Sequence, residues 1–108
     1  MTVSDLAGRL EFDVLCGDTQ REVQGCYIGD LLSWVMSHAK SGNVWITIMS
    51  NINVPAVASL TDVSCVILAE GVELDEDALT AAKAKDVCVL RSPLPVYETS
   101  VAVSKAIE

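Results

Sequence analysis

One pattern constrains this chain more than any other. A short β-branched run, a polar turn and a helix-like stretch are spelled three times in its second half. The runs are Val44-Trp45-Ile46-Thr47-Ile48-Met49, Cys65-Val66-Ile67-Leu68-Ala69 and Val87-Cys88-Val89-Leu90. They recur about every 20 residues, the cadence of a small parallel α/β sheet. Apolar residues stand on both sides of each alternation, Ile46 and Ile48 beside Trp45 and Met49. Such strands belong to sheets covered on both faces, with right-handed crossovers between neighbours. The expected fold is therefore α/β: a small, mainly parallel sheet with helices on both faces and three C-terminal βα units.

The first half is less regular. Leu6 and Leu10 at i, i+4 predict a helix over 3–10, capped by Thr2 or Ser4. Alternation predicts a strand over 11–16, Gly17-Asp18-Thr19-Gln20 a turn, and 21–27 a weaker strand broken at Gly25. From Gly29-Asp30 to Lys40 the spacing of Leu32, Val35, Met36 and Ala39 predicts a core-facing helical stripe, with Gly42 as terminator. Pro55 marks the first turn of a short helix through Leu60. Asp75-Glu76-Asp77 opens a helix ending at Lys83 and Lys85, both signs matching the dipole. After Pro93 and Pro95 a last helix carries Val96, Val103 and Ile107 on one face.

At 108 residues, with no linker or low-complexity stretch, the chain suits one domain spanning 1–108. Half of it is hydrophobic (51%) and little is aromatic (5%), so the core is aliphatic and more apolar than so small a monomer hides easily. A homo-oligomer or a face docked on a partner protein is the natural outlet. The net charge of −8 repels phosphate backbones and anionic lipid heads, which disfavours nucleic acid and membrane partners. The start Met1-Thr2-Val3-Ser4-Asp5 lacks signal-peptide character, no run is long enough to span a bilayer, and the four cysteines fit no zinc or redox spacing. The expectation is a reduced, cytoplasmic protein.

In an open parallel sheet, ligands bind beyond the carboxyl ends of the strands. Here the turns after the three strands bring Ser50, Asn51, Asn53, Glu70, Arg91 and Ser92 together as ligand-binding candidates. The planar fork of Arg91 suits a carboxylate or phosphate, so a small anionic ligand, a nucleotide or acyl phosphate, is the partner these residues point to. The same residues also read as turn and cap residues and a salt-bridged arginine. His38 is the only histidine, so a Ser-His or Cys-His mechanism would have to use it, yet its place near a helix end already accounts for it. Asp75, Glu76 and Asp77 match an ordinary helix start better than a cation site. With one histidine and scattered cysteines, neither a metal nor a catalytic constellation is expected. No glycine-rich phosphate cradle occurs, so no nucleotide cofactor is expected. Trp34 and Trp45 read as core or interface anchors.

The stretch Gly25-Cys26-Tyr27-Ile28-Gly29-Asp30-Leu31-Leu32-Ser33-Trp34-Val35-Met36 resembles the "GGY-x-x-DLLS-x-VM" segment of small stand-alone DRTGG-domain proteins. Val44-Trp45-Ile46-Thr47 with Asn53-Val54-Pro55-Ala56-Val57-Ala58-Ser59-Leu60 resembles that group's "VWIT…N-x-x-AVAS-L", and Asp75-Glu76-Asp77-Ala78-Leu79 with Ala82-Lys83 its "PDE-x-x-L-x-x-AK". The Asp-Arg-Thr-Gly-Gly string itself is missing; the corresponding turn is Ser50-Asn51-Ile52-Asn53, with Asn51 where close relatives carry a histidine. The resemblance implies a dimeric regulatory or scaffold module without catalysis, similar to the one preceding the catalytic domain of HPr kinase. Two other roles follow from it: an interaction scaffold in an anaerobic, hydrogenase-type redox system, and an accessory to a serine kinase or phosphotransferase. An enzyme reading, phosphotransfer or Cys26–His38 chemistry, rests on that kinase association alone.

Overall fold

The computed structural model describes residues 1–108, which fold into five helices and one five-stranded sheet. In chain order these are α1 (Val3–Leu10), β1 (Asp13–Cys16), β2 (Cys26–Ile28), α2 (Leu32–His38), β3 (Val44–Thr47), α3 (Asn53–Thr61), β4 (Cys65–Leu68), α4 (Glu76–Ala84), β5 (Val89–Arg91) and α5 (Val96–Ile107). The strand order is β1-β5-β4-β3-β2. Strands β2 to β5 are parallel, and β1 joins β5 antiparallel. The three strands legible in the sequence are indeed neighbours, and β2 adds a fourth parallel member.

Period-2 alternation divides the core. Val44, Ile46, Cys65, Ile67 and Leu90 face Val3 and Leu6 of α1 and Val103 of α5. Trp45, Val66, Leu68 and Val89 face Val35 of α2, Val54, Val57 and Ala58 of α3, and Ala82 of α4. Both faces are thus dry and helix-covered, which is why these strands read as continuous apolar runs. Trp45 is fully buried, and its indole N–H donates to the Gly29 carbonyl at 2.9 Å.

Several boundaries differ from the sequence reading. The second strand lies after Gly25 (φ +79°), not over 21–27. Residues 21–23 instead run beside the start of α1, with Val3 N–H on the Arg21 carbonyl and Val23 N–H on that of Met1. Helix α2 is only seven residues long and sits beside the sheet edge, so Val35 is its one buried residue and Met36 is exposed. Trp34 is 57% exposed, stacked on His38 at 4.7 Å, rather than a core anchor. Asp30 does not cap α2: its Oδ1 accepts from Thr47 Oγ1 (2.8 Å) and Ile48 N–H (3.0 Å), tying the loop after β2 to the end of β3.

Candidate functional site

The carboxyl ends of β2, β3, β4 and β5 lie along one rim, and the six polar candidates are all found there. The side chains of Ser50, Asn51, Glu70, Arg91 and Ser92 are already engaged, while exposed Asn53 contributes only its backbone N–H. Asn51 Oδ1 accepts from the Asn53 N–H (2.9 Å), an Asx turn that leads into α3. Ser50 donates to Asp75 Oδ1 (3.3 Å), and Asp75 N–H returns to the Ser50 carbonyl (3.1 Å), fastening the loop after β3 to the start of α4. Glu70 Oε2 accepts from Val96 N–H at 2.8 Å, satisfying an orphan donor at the start of α5. Ser92 is wholly buried; its hydroxyl pairs with that of Thr99 (2.8 Å) and accepts from Leu94 N–H (3.1 Å).

Arg91 splits its fork between Asp13 Oδ2 on β1 (3.0 Å) and Glu73 Oε1 (3.2 Å). An incoming anion would have to displace two carboxylates. Along the rim stand exposed Asp13, Asp30, Glu70, Glu73, Asp75, Glu76, Asp77 and Glu98, with Arg91 the only cation among them. The rim is therefore an acidic field.

Between those carboxylates the rim presents oil. Leu31 follows β2, Ile48 and Ile52 follow β3, Leu94 follows β5, and Tyr97 opens α5; each is exposed, Leu31 to 63% and Tyr97 to 73%. Large apolar side chains just past strand ends were visible in the sequence, but reading the turns for polar residues passed over them. Pairing of Arg91 with Asp13 was not visible, because 78 residues separate them.

Cysteine chemistry finds no support in the geometry. His38 Nδ1 lies 2.9 Å from the Trp34 carbonyl and 2.8 Å from Ser37 Oγ, and the ring stacks on Trp34 and, at 6.3 Å, on Tyr27. Tyr27 shares a register position with Trp45, whereas Cys26 shares one with Val44 on the opposite face, so Cys26 and His38 are separated by the sheet. Surrounding protein pushes the Cys26 thiol up to about 11 and, with nearby Cys16, Asp18 and Asp86, that of Cys88 up to about 12. Neither is a thiolate at neutral pH. No group of acidic, histidine or cysteine side chains is arranged to hold a metal ion.

A comparison with curated proteins gives no match. Among solved structures, the chain is similar to the CBS and DRTGG domains of the regulatory region of Clostridium perfringens pyrophosphatase, complexed with its activator diadenosine tetraphosphate. The TM-score is 0.76 at 12% identity, over 94% of this chain and 45% of that one. This likeness concerns the fold, and the chain spans less than half of that regulatory region. The family model described as "DRTGG domain" matches residues 5–106, nearly the whole sequence, and the chain belongs to the DRTGG domain family.

Proposed function

We propose that residues 1–108 form one non-catalytic, cytoplasmic regulatory unit that docks on a larger protein through its carboxyl rim. The observation that carries this is the arrangement at the strand ends: Leu31, Ile48, Ile52 and Leu94 face solvent while Ser50, Asn51, Glu70 and Ser92 spend their hydrogen bonds inside the protein. A surface so apolar is the signature of a protein interface. The test is capture from native lysate by wild type and by the Leu31→Ser/Ile52→Ser variant. The partner recovered by wild type is lost by the variant; equal recovery overturns the reading.

A second reading is a small anionic ligand, a nucleotide or acyl phosphate. It is supported by the diadenosine tetraphosphate bound in the pyrophosphatase regulatory region. Arg91 is the cation that would meet it, once freed from Asp13 and Glu73. Thermal-shift measurements with diadenosine tetraphosphate, ATP and acetyl phosphate decide it. A shift that Arg91→Ala removes supports this reading, and no shift with any of them rejects it. The unit also self-associates in our reading, the excess of aliphatic residues being the motive.

A further inference from the structure

The two edges of the sheet are built differently. The β1 edge is defended: its register slips between Val14 and Cys16, a bulge, and Asp13 lies in an ion pair with Arg91, which also binds Glu73. Bulges and charges are the usual means of refusing a further strand. The β2 edge has none of these. Its three residues, Cys26-Tyr27-Ile28, are uncharged, contain no proline and pair in unbroken register with β3.

That edge also presents free backbone. Gly25 C=O accepts from Val44 N–H and Gly29 N–H donates to Ile46 C=O, so the odd-numbered residues hydrogen-bond to β3. In a parallel ladder the even-numbered ones then turn outward: the N–H and C=O of Cys26 and Ile28 point away from the sheet. Beside them lies an open groove of about 520 Å³ between β2 and α5, lined by Cys26, Ile28, Ser100, Val101, Ser104 and Lys105, with Glu108 at its end. Ile28, which forms its floor, is 47% exposed.

We infer that this edge is an interface for a second copy of the chain, with β2 pairing antiparallel to β2 about a two-fold axis through Tyr27. This rests on the self-association proposed above and gives it a surface. The parity is self-matching. Cys26 comes opposite Ile28 of the second copy and Ile28 opposite its Cys26, so the four outward N–H groups and four outward C=O groups of the two strands close into four hydrogen bonds. A two-fold contact needs this reciprocity, with each residue meeting the partner of its own counterpart. The side chains that enter each groove are then Cys26 and Ile28 of the other copy, small and apolar like the floor they meet.

The wall of the groove is one face of α5, carrying Ser100, Val101, Ser104 and Lys105. Groove charges balance between Lys105 and Glu108, so the net −8 of each copy is not concentrated here. Two five-stranded sheets become one of ten strands, and the undefended edge disappears.

Register makes the test specific. Residues in such a hydrogen-bonded pair have Cα atoms about 5.5 Å apart, within disulfide reach. Cys26 and Cys26 of the two copies lie on a diagonal of about 7–8 Å, beyond it. Under copper-phenanthroline, Ile28→Cys is therefore expected to form a covalent dimer that Cys26→Ser in the same chain abolishes, while wild type stays uncrosslinked. Light scattering at micromolar concentration is expected to give a dimer for wild type and for Leu31→Ser/Ile52→Ser, and a monomer for Ile28→Lys with unchanged circular dichroism. A dimer in which Ile28→Cys fails to crosslink, or crosslinks no better than Val14→Cys on the other edge, overturns the surface but not the association. A monomer for wild type up to hundreds of micromolar overturns both.

Discussion

Single residues away from the rim are committed to structure as well, and that gives them distinct signatures. Gly17 sits at φ +91° with its α-carbon against the next strand; an added Cβ would collide with Cys88 Cα and the Val87 carbonyl oxygen, all backbone that has nowhere to go. Gly17→Ala is expected to cost roughly 2–3 kcal/mol, measured by urea unfolding. At the same end of the molecule, Thr2 and Asp5 form a reciprocal capping box on α1. Thr2 N–H and the Thr2 hydroxyl both hold the Asp5 carboxyl below its ordinary value of 3.8. A carboxyl lowered by folding adds stability that is complete above its unfolded value and fades as pH falls toward the folded one. Separately, Thr2→Ala removes the cap oxygen from the Asp5 N–H and should cost about 1 kcal/mol. Its loss of stability between about pH 5 and pH 3 should also be shallower than that of wild type. An acid-unfolding profile parallel to wild type would show that the box contributes nothing to it. Ser50, Asn51, Asn53, Glu70, Arg91 and Ser92 were legible as turn residues gathered at one place. The bonds that occupy Arg91, Glu70 and Ser92 were not, because their partners Asp13, Val96 and Thr99 are brought to them by tertiary packing.

Elements were read best where two faces are buried and worst at the edges. The strands β3, β4 and β5 announce themselves by apolar runs that no helix period fits. The second strand does not, since its three residues are flanked by glycines and its neighbours 21–23 are held by α1 instead. Nor does alternation carry direction, so the antiparallel fit of β1 was invisible. Helix α5 illustrates how an element inherits its start from loops: Glu70 receives Val96 N–H, and the buried Ser92–Thr99 pair anchors its first turn to the end of β5. Glu70→Ala and Ser92→Ala are each expected to destabilise the protein by about 1 kcal/mol. Both should hasten amide exchange at residues 96–100 while leaving β3 and β4 protected. Unchanged exchange there would mean α5 holds its start without them. Asp30→Ala is the stronger case, since Thr47 Oγ1 is buried and Asp30 is the acceptor of its proton. A loss of roughly 1–3 kcal/mol is expected by the same measurement.

At the scale of the molecule, acidic and apolar side chains crowd one end. Eight exposed carboxylates and five large exposed apolar side chains share the carboxyl rim, whereas Arg21, Lys83 and Lys85 belong to the opposite end, where Arg21 bonds the carbonyls of Asp62 and Val63. The Leu31→Ser/Ile52→Ser variant is expected to bind less of a hydrophobic dye and to keep Tm within about 2 °C, because neither side chain packs in the core. A large fall in Tm would mean that the rim supports the fold rather than a partner. Family membership was legible from three short segments spread over most of the chain, but the apolar character of the rim was not, because exposure is decided only once the chain has closed.

The sheet ends on a pairing between its earliest strand and its latest: Asp13 meets Arg91, and Val14 meets Leu90. On the ribosome, β1 emerges without a companion, and some 75 residues must follow before one exists. Strands β2, β3 and β4 are complete before β5 is made, and the terminal staple must wait for it. Synthesis time, rather than local preference, sets when this small domain becomes a domain at all.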